Sequence, residues 1–214
     1  MDEKKIPSRE ELQEALSCRH TKAVQSVLDR ASAAVCGLGG LGSHIAVALA
    51  RLGVGRLHLI DFDRVDLSNL NRQHYLIPHI GMYKTEALGS QLRDINPYLD
   101  IRTDTVKMTE DNILELLEHD RIVCEAFDVP EAKAMLINAL AGCTDKTVVS
   151  ASGMAGFESS NDIITRKITE RLYLCGDGHS AAAPGCGLMA PRVALCAAHQ
   201  ANMVLRLILG ERKA

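Results

Sequence analysis

Apolar and polar positions along this chain form blocks that predict strands and helices in turn. Short runs of small or branched apolar residues are typical of covered strands. They lie at 33–36, 56–62, 100–108, 121–127 and 146–152. Between them, apolar residues recur at helical spacing over 43–52, 82–97, 110–118 and 131–140. This alternation predicts an α/β fold: a Rossmann-like, doubly wound and mainly parallel sheet.

Both ends of the chain depart from that alternation. Residues 8–30 are charged and helical, and Ser8 with Glu11 resembles a capping box. Residues 159–175 predict a small antiparallel β edge, and an apolar helix follows over 188–209. We expect that helix to be buried on the sheet or at a dimer interface. The predicted organisation is an N-terminal helical extension over residues 1–30 and a nucleotide-binding domain over residues 31–214.

A glycine turn lies between the first predicted strand and its helix. Its glycines are Gly37, Gly39, Gly40 and Gly42. Small residues here let backbone N–H groups approach a phosphate at the positive end of the helix. Asp61 ends the next strand, where a carboxylate can accept hydrogen bonds from ribose hydroxyls. Alone, this pattern fits NAD, FAD or an adenine nucleotide equally well.

The segment after Asp61 is more informative, because its polar side chains alternate with apolar anchors. We expect it to be ordered and to face a ligand. The polar groups that we assign to nucleotide binding are Asp63, Asn69, Arg72, Gln73 and Lys84. Two cations among them can spread charge from a triphosphate. Lys84 lies in a first helical turn, where the helix dipole disfavours a cation, so a nearby anion would explain its placement.

Asp128 follows another buried strand. Carboxyl ends of strands in doubly wound sheets line the ligand crevice, so Asp61 and Asp128 should face the same cleft. There Asp128 can bind Mg²⁺. The competing interpretation is that Asp128 only caps the helix that begins near Pro130.

The composition of the chain excludes several kinds of binding partner. The net charge is −3, Trp is absent and no polybasic tract occurs, which argues against nucleic acid and membrane surfaces. No apolar run reaches the roughly 20 residues of a spanning helix. The first residues contain no apolar signal-peptide region, so we expect a cytoplasmic protein. None of the seven cysteines forms a C-x-x-C pair, so no zinc site is expected.

Four motifs together resemble the ThiF/MoeB/ubiquitin-activating-enzyme superfamily, and the short, zinc-less ThiF-type sulfur-carrier adenylyltransferases in particular. They are GLGGLGS, LIDFDRVDLSNLNRQ, GMYKTEAL and EAFDVPEAK. The resemblance implies ATP- and Mg²⁺-dependent adenylation of the C-terminal glycine of a small ubiquitin-like carrier that ends in Gly-Gly. Pyrophosphate is released, and thiamine thiazole synthesis is the expected pathway.

The resemblance also implies residue roles. Asp61 would hold ribose, the glycine turn would hold phosphates, and Asp128 would bind Mg²⁺. The polar segment would surround the triphosphate and the reacting carboxylate, with Arg72 and Lys84 as catalytic cations. Enzymes of this kind are homodimers in which an N-terminal arginine reaches the partner's nucleotide.

Two implied residues are less well defined. The usual arginine motif is absent; Arg19 is the nearest candidate for the arginine acting in trans, and Arg9 is another. In longer relatives a cysteine before the last helix links covalently to the carrier. Cys186 matches that position, and Cys175 competes with it.

Three alternatives stay open. The substrate can be a molybdopterin-type carrier or another carboxylate. A nicotinamide oxidoreductase would share the glycine turn, but it leaves Arg72 and Lys84 unexplained. A non-catalytic carrier-binding module would lack the complete set of polar residues.

Overall fold

The computed structural model of the chain describes residues 6–214, which contain a seven-stranded sheet. Its strands are β1 (Ser32–Cys36), β2 (Arg56–Ile60), β3 (Asp100–Asp104), β4 (Ile122–Glu125), β5 (Thr147–Ala151), β6 (Ile164–Thr169) and β7 (Leu172–Gly176). The helices are α1 (Arg9–His20), α2 (Lys22–Leu28), α3 (Gly40–Leu52), α4 (Lys84–Ile95), α5 (Ile113–Leu116), α6 (Pro130–Ala141) and α7 (Ala190–Ile208). Among the described residues, no helix combines the length and hydropathy needed to cross a bilayer.

The strand order is β3-β2-β1-β4-β5-β7-β6. Neighbouring strands run parallel from β3 to β7, and β6 alone pairs antiparallel, with β7. The predicted fold, with its small antiparallel edge, is therefore confirmed. The chain winds outward from β1 to β3 and then returns to β4 beside β1. Such a reversal opens a crevice at the carboxyl ends of the two central strands.

Helices cover both faces of the sheet. Alternate strand residues, such as Val35 and Leu59, pack under α3, α4 and α7. The intervening residues, such as Cys36 and Ile60, pack under α5 and α6. Because strand side chains alternate between faces, each buried strand must be apolar at nearly every position. The last helix packs on α3 and on the sheet, as its apolar sequence predicts.

One buried amide joins α7 to two strands. The β4–β5 ladder ends at the pair Cys124 and Val149. Beyond it, Gln200 Nε2 donates to the carbonyl oxygens of Glu125 (2.9 Å) and Val149 (3.0 Å). A helix side chain therefore binds strand carbonyls where the ladder between these strands stops.

Several predicted boundaries are wrong. Residues 8–30 form two helices, because Thr21 has a positive φ of 78° and breaks the run. The capping box of Ser8 and Glu11 is confirmed. The helix after the glycine turn begins at Gly40, not at Ser43. The helix expected over 110–118 shrinks to α5.

Helices α1 and α2 lie at the C-terminal end of α3. A Cβ atom at Gly53, the C-cap of α3, would meet Gln25 Nε2 at 2.6 Å and Leu16 Cδ1 at 2.8 Å. Arg9 forms an exposed ion pair with Asp29 at 3.6 Å. The division of the chain into an extension (1–30) and a domain (31–214) remains a prediction.

Candidate functional site

The glycine turn joins β1 to α3 at the carboxyl edge of the sheet. Gly37 has φ +89°, and a Cβ atom there would lie 2.8 Å from the carbonyl oxygen of Ala126. A Cβ atom at Gly42 would overlap the carbonyl oxygen of Gly37. Both glycines are therefore required by the packing of the turn against β4 and α3. The sequence interpretation, that small residues here let backbone N–H groups approach a phosphate, misses this internal reason.

The other two glycines have different surroundings. A Cβ atom at Gly40 would lie 2.9 Å from Val193 Cγ1 of α7. At Gly39, the N-cap of α3, the nearest atom would be Gln73 Nε2 at an ordinary 3.7 Å. The first amides of a helix have no intrahelical acceptor and carry the positive end of its dipole. The turn thus presents N–H donors beside the open space at Gly39.

Asp61, directly after β2, is bound to this turn. Its Oδ2 accepts from Leu38 N at 2.6 Å, and its Oδ1 accepts from Asp63 N at 2.7 Å. Burial raises the pKa of this carboxyl group, and nearby Lys84 and the two amides only partly offset the rise. Asp61 therefore shapes the turn as well as facing the crevice.

Lys84 is the first residue of α4 and is buried. Its Nζ lies 2.8 Å from Asp63 Oδ2 and 4.0 Å from Asp61 Oδ2. Its placement at a helix N-terminus, unfavourable for a cation, is thus explained by two carboxylates. The structure brings together the predicted residues Asp61, Asp63 and Lys84.

Gln73 lies beside the glycine turn and is buried. The residue is only 8% exposed, and its Oε1 has no hydrogen-bond partner among residues 6–214. Its Nε2 is the nearest atom to the open position at Gly39. A buried acceptor without a partner is costly, so a ligand donor at this place would relieve it.

The side chain of Arg72 passes beside Gly40. Its Cγ and Cδ would lie 3.6 and 3.7 Å from a Cβ atom there, so the side chain passes beside the helix N-terminus. Its Nη1 donates to the neighbouring Asn71 Oδ1 at 2.8 Å and more weakly to the Ser68 carbonyl at 3.3 Å. No carboxylate lies within 4 Å of this guanidinium among the described residues, so its charge is available to an anion.

Backbone and side-chain contacts hold the two ends of the polar segment together. Val65 and Met82 pair through their backbones, and Arg64 Cζ stacks 3.7 Å from the centre of the Tyr83 ring. Tyr75 Oη donates to the Leu38 carbonyl at 2.8 Å, which ties the segment to the glycine turn. These contacts support the predicted order of the segment.

Asn69 has a local role that the sequence did not reveal. Its Oδ1 accepts from Asp66 N at 3.1 Å in a capping box around a short 3-10 turn. The amide is half-buried, and its Nδ2 makes no hydrogen bond within the described chain. It can therefore both shape the segment and donate to a ligand.

Asp128 is exposed at the end of the β4 loop. The helix cap is Val129, without a side-chain bond, so the interpretation of Asp128 as a cap is wrong. A Cβ atom at Gly37 would touch Phe127 Cδ1 at 3.0 Å, so this loop borders the glycine turn. Within residues 6–214, no group of three or more His, Cys, Asp or Glu side chains could hold a metal ion. Mg²⁺ commonly needs only one or two carboxylates beside substrate phosphates, and a free carboxylate at this position fits that chemistry.

The two competing cysteines lie in different environments. Cys175 is fully buried in β7, and burial raises the pKa of its thiol to about 11. Cys186 is partly exposed, in a loop where its backbone pairs with Ala183 in both directions. Since the thiolate is the reactive form, only Cys186 has surroundings compatible with a nucleophile.

Arg19 is exposed on α1. Because α1 lies at the C-terminal end of α3, the 13-residue length of that helix, about 20 Å at 1.5 Å per residue, separates it from the glycine turn. The structure therefore does not bring Arg19 to the predicted nucleotide-binding residues of its own chain.

Sequence reasoning missed a second polar cluster. Asp177, at the carboxyl end of β7, forms a buried ion pair with Arg192 of α7 at 2.6 Å. The available signal was an arginine directly after Pro191 at the start of an apolar helix.

Comparison with known proteins identifies the family. The model of the ThiF family matches residues 13–214. The chain belongs to the ThiF family. Its relatives include the adenylyltransferase and sulfurtransferase UBA4 of Candida glabrata, 33% identical over 86% of this chain and 43% of that protein. The molybdopterin-synthase adenylyltransferase of Haemophilus influenzae is 38% identical over 52% of this chain and 46% of that protein. This ThiF-family chain thus spans less than half of these relatives' length.

A solved structure agrees with the architecture. The E. coli tRNA N6-threonylcarbamoyladenosine dehydratase TcdA, in complex with ATP, superposes with a TM-score of 0.85. The match covers 96% of the ThiF-family chain and 98% of TcdA at 22% identity. At that identity the likeness establishes the shared fold.

Proposed function

We propose that this protein is an ATP- and Mg²⁺-dependent adenylyltransferase that activates the C-terminal glycine of a small ubiquitin-like sulfur carrier. The observation that carries the proposal is the juxtaposition at the glycine turn. The first amides of α3 and Gln73 Nε2 lie at the open position beside Gly39, and the side chain of Arg72, whose guanidinium has no carboxylate partner among the described residues, passes beside the adjacent Gly40. Family membership and relatives named as adenylyltransferases support it.

In the proposed reaction, ATP is the co-substrate. The first-turn amides of α3 bind phosphate oxygens, and Asp61 accepts from ribose. The carrier carboxylate attacks the α-phosphorus; a C–O–P bond forms, and pyrophosphate leaves with the electrons of the broken P–O bond. Arg72 and Lys84 stabilise the charge that develops on the phosphates, so positioning and electrostatics provide the rate.

Asp128 would hold Mg²⁺, which neutralises phosphate charge when bound. The test is ATP–pyrophosphate exchange in the presence of a carrier that ends in Gly-Gly. We expect Asp128→Ala to abolish exchange. Asp111→Ala removes another exposed carboxylate and should leave exchange at the wild-type rate. Undiminished exchange in Asp128→Ala would refute the metal assignment.

The carrier is proposed to be ThiS-like, with a role in thiamine thiazole synthesis. A second candidate is a molybdopterin-type carrier, because one relative is named for molybdopterin synthase. Both use the same chemistry, so exchange with each purified carrier, compared by kcat/KM, discriminates between them. Exchange with neither carrier, together with tight NAD binding, would favour an oxidoreductase.

Cys186 is proposed to take the carrier from the acyl-adenylate. Its thiolate would attack the acyl carbon, displace AMP and leave a thioester that an excess of a small thiol removes. Cys186→Ser should keep exchange and form no such adduct, whereas Cys18→Ser, a change at an exposed thiol on α1, should form it normally. An adduct that persists in Cys186→Ser would exclude this thiol.

We further propose a homodimer in which Arg19 acts on the partner's nucleotide. The position of α1, away from its own glycine turn, supports action in trans. Arg19→Ala and Lys84→Ala should each be inactive alone. Mixed and re-equilibrated, they should regain exchange, because one site per mixed dimer is complete. Absence of any regain in verified mixed dimers would contradict this arrangement.

A further inference from the structure

The buried pair of Asp177 and Arg192 connects three separate parts of the chain. Arg192 is only 5% exposed. Its Nη2 binds Asp177 Oδ2, and its Nη1 donates to the carbonyl oxygens of Glu158 (2.7 Å) and Ser159 (2.8 Å). One guanidinium therefore holds the loop after β5, the loop after β7 and the start of α7. We call Asp177, Arg192 and the loop residues 153–159 and 177–180 the Asp177 clamp.

Asp177 is saturated with donors. Besides Arg192, it accepts from His179 N (2.8 Å), Ser180 N (2.8 Å) and Ser180 Oγ (2.6 Å). The same Ser180 hydroxyl accepts from Ala155 N at 3.1 Å, which carries the network back into the β5 loop. Replacing this array by apolar residues would often be neutral for stability, so its geometry needs another explanation.

The clamp leads directly to the candidate thiol. Gly156 N donates to Gly187 O at 2.9 Å, and a Cβ atom at Gly156 would lie 3.3 Å from Cys186 Sγ. The thiol thus sits on the backbone of the loop whose next residues, Glu158 and Ser159, Arg192 holds. Two residues after Cys186, the carbonyl oxygen of Leu188 accepts from Asn71 Nδ2 at 3.3 Å, which joins the loop that carries Cys186 to the polar segment after Asp61.

We propose that Arg192 and Asp177 are positioning residues that fix the loop carrying Cys186 beside the polar segment after Asp61. They act through the β5 loop and do not touch the reacting atoms. Removing the clamp should leave adenylation intact and should impair only the transfer of the acyl group to sulfur. The acyl-transfer part rests on the proposed function, whereas the fixing of the loop does not.

The experiment uses Arg192→Lys, which keeps the charge but cannot bind Asp177 and both carbonyls together. Arg206→Lys, on the exposed part of the same helix, is the matched control. The first readout is the alkylation rate of Cys186 by a neutral maleimide, resolved by peptide mass spectrometry and needing no carrier. We expect about a tenfold faster rate in Arg192→Lys, because the loop opens, and no change in Arg206→Lys.

The second readout compares ATP–pyrophosphate exchange with adduct formation on a carrier ending in Gly-Gly. For Arg192→Lys we expect exchange within about twofold of wild type and adduct formation at least about tenfold slower, because displacement of a nucleophile by 1 Å can cost 100-fold. Unchanged alkylation, or exchange that falls in parallel with the adduct, would overturn the proposal. If Arg192→Lys fails to fold, Ser180→Ala, which removes one donor to Asp177, should shift both readouts in the same direction by less.

Failure of the proposed function is a separate outcome. A wild-type protein without exchange on any carrier would refute adenylation. Faster alkylation of Cys186 in Arg192→Lys would still support the clamp, and an unchanged rate would still reject it.

Discussion

Asp61 and Asp177 occupy equivalent places in the sheet, and their surroundings are opposite. Each follows the carboxyl end of a parallel strand, β2 for one and β7 for the other. Asp61 has two amide donors and a lysine 4.0 Å away, and burial raises its pKa. For Asp177 burial also acts to raise the pKa, but Ser180, two amides and Arg192 hold the pKa well below the ordinary range.

This difference distinguishes a candidate ligand site, around Asp61, from a cluster that holds the fold together, around Asp177. Both oxygens of Asp61 are also bound, but at the glycine turn the buried Gln73 Oε1 has no hydrogen-bond partner and the Arg72 guanidinium has no carboxylate partner among the described residues. Around Asp177, both carboxylate oxygens and both terminal nitrogens of Arg192 are bound within the protein, and Arg192 Nε is the one buried atom of this pair without a partner among residues 6–214. A ligand can compete for the first set, whereas the second set is committed to holding loops together.

The largest effect is expected for Gly42→Ala, in the region of Asp61. The added Cβ would overlap the carbonyl oxygen of Gly37 at backbone that cannot move away cheaply. We expect a loss of about 4 kcal/mol in the free energy of unfolding and no exchange activity. Gly142→Ala, where the Cβ meets nothing within 4 Å, should change the free energy of unfolding by less than about 1 kcal/mol in urea titrations. Equal stabilities for both variants would mean that the turn is not tightly packed.

Exchanging each carboxylate for alanine should separate stability from activity. Asp177→Ala leaves Arg192 buried without its partner and should cost about 3 kcal/mol in the free energy of unfolding. Asp61→Ala also removes a carboxylate whose charged form is disfavoured by burial, so about 1 kcal/mol is expected. Exchange assays should rank the variants the other way, with Asp61→Ala inactive. The same ranking in both measurements would abolish the distinction between site and scaffold.

The two carboxyl groups should also give opposite pH dependences of stability. For Asp177, whose pKa is lowered by folding, the stabilisation is present above its unfolded pKa and is lost as pH falls through the lower folded value. For Asp61, whose pKa is raised, the stabilisation is present below its unfolded pKa and is lost as pH rises through the folded value. Urea unfolding from about pH 3 to 7 for wild type, Asp177→Asn and Asp61→Asn measures both differences. Slopes of one sign for both positions would contradict the assignment.

The smallest effect is expected for Gly39→Ala. The Cβ finds only Gln73 Nε2 at 3.7 Å, and alanine is a poorer N-cap than glycine, so about 1 kcal/mol or less is expected. Because the methyl group enters the proposed phosphate position, KM for ATP should rise by more than the stability loss explains. An unchanged KM would place the phosphates elsewhere.

The sequence predicted the region of Asp61 far better than the region of Asp177. Glycines, an acidic strand end and two cations lie within about fifty residues there, at spacings dictated by backbone geometry. The order of strands and helices was predicted equally well, because a strand that is buried on both faces must consist of a run of apolar residues. The start of α3 was misplaced because the turn's glycines lack the apolar periodicity used to find helices.

The Asp177 clamp could not be predicted from the sequence, and the reason is physical. Asp177 and Arg192 are 15 residues apart, separated by a glycine-rich loop whose path no local propensity fixes. The partners of Lys84 were anticipated only as an unspecified anion, since the pairing with Asp63 depends on how the intervening segment closes on itself. Long-range pairing of polar groups is decided by tertiary structure, where hydrophobic periodicity gives no guidance.

The amide of Gln200 has a consequence for the carboxyl edge of the sheet, where the nucleotide is proposed to bind. Its Nε2 occupies the carbonyl oxygens of Glu125 and Val149, one strand away from the crevice between β1 and β4. These carbonyl oxygens therefore have hydrogen-bond partners even though β4 and β5 no longer pair with each other at this edge of the sheet. The entropic cost of shaping that edge is met during folding, so an incoming ligand need not meet it again.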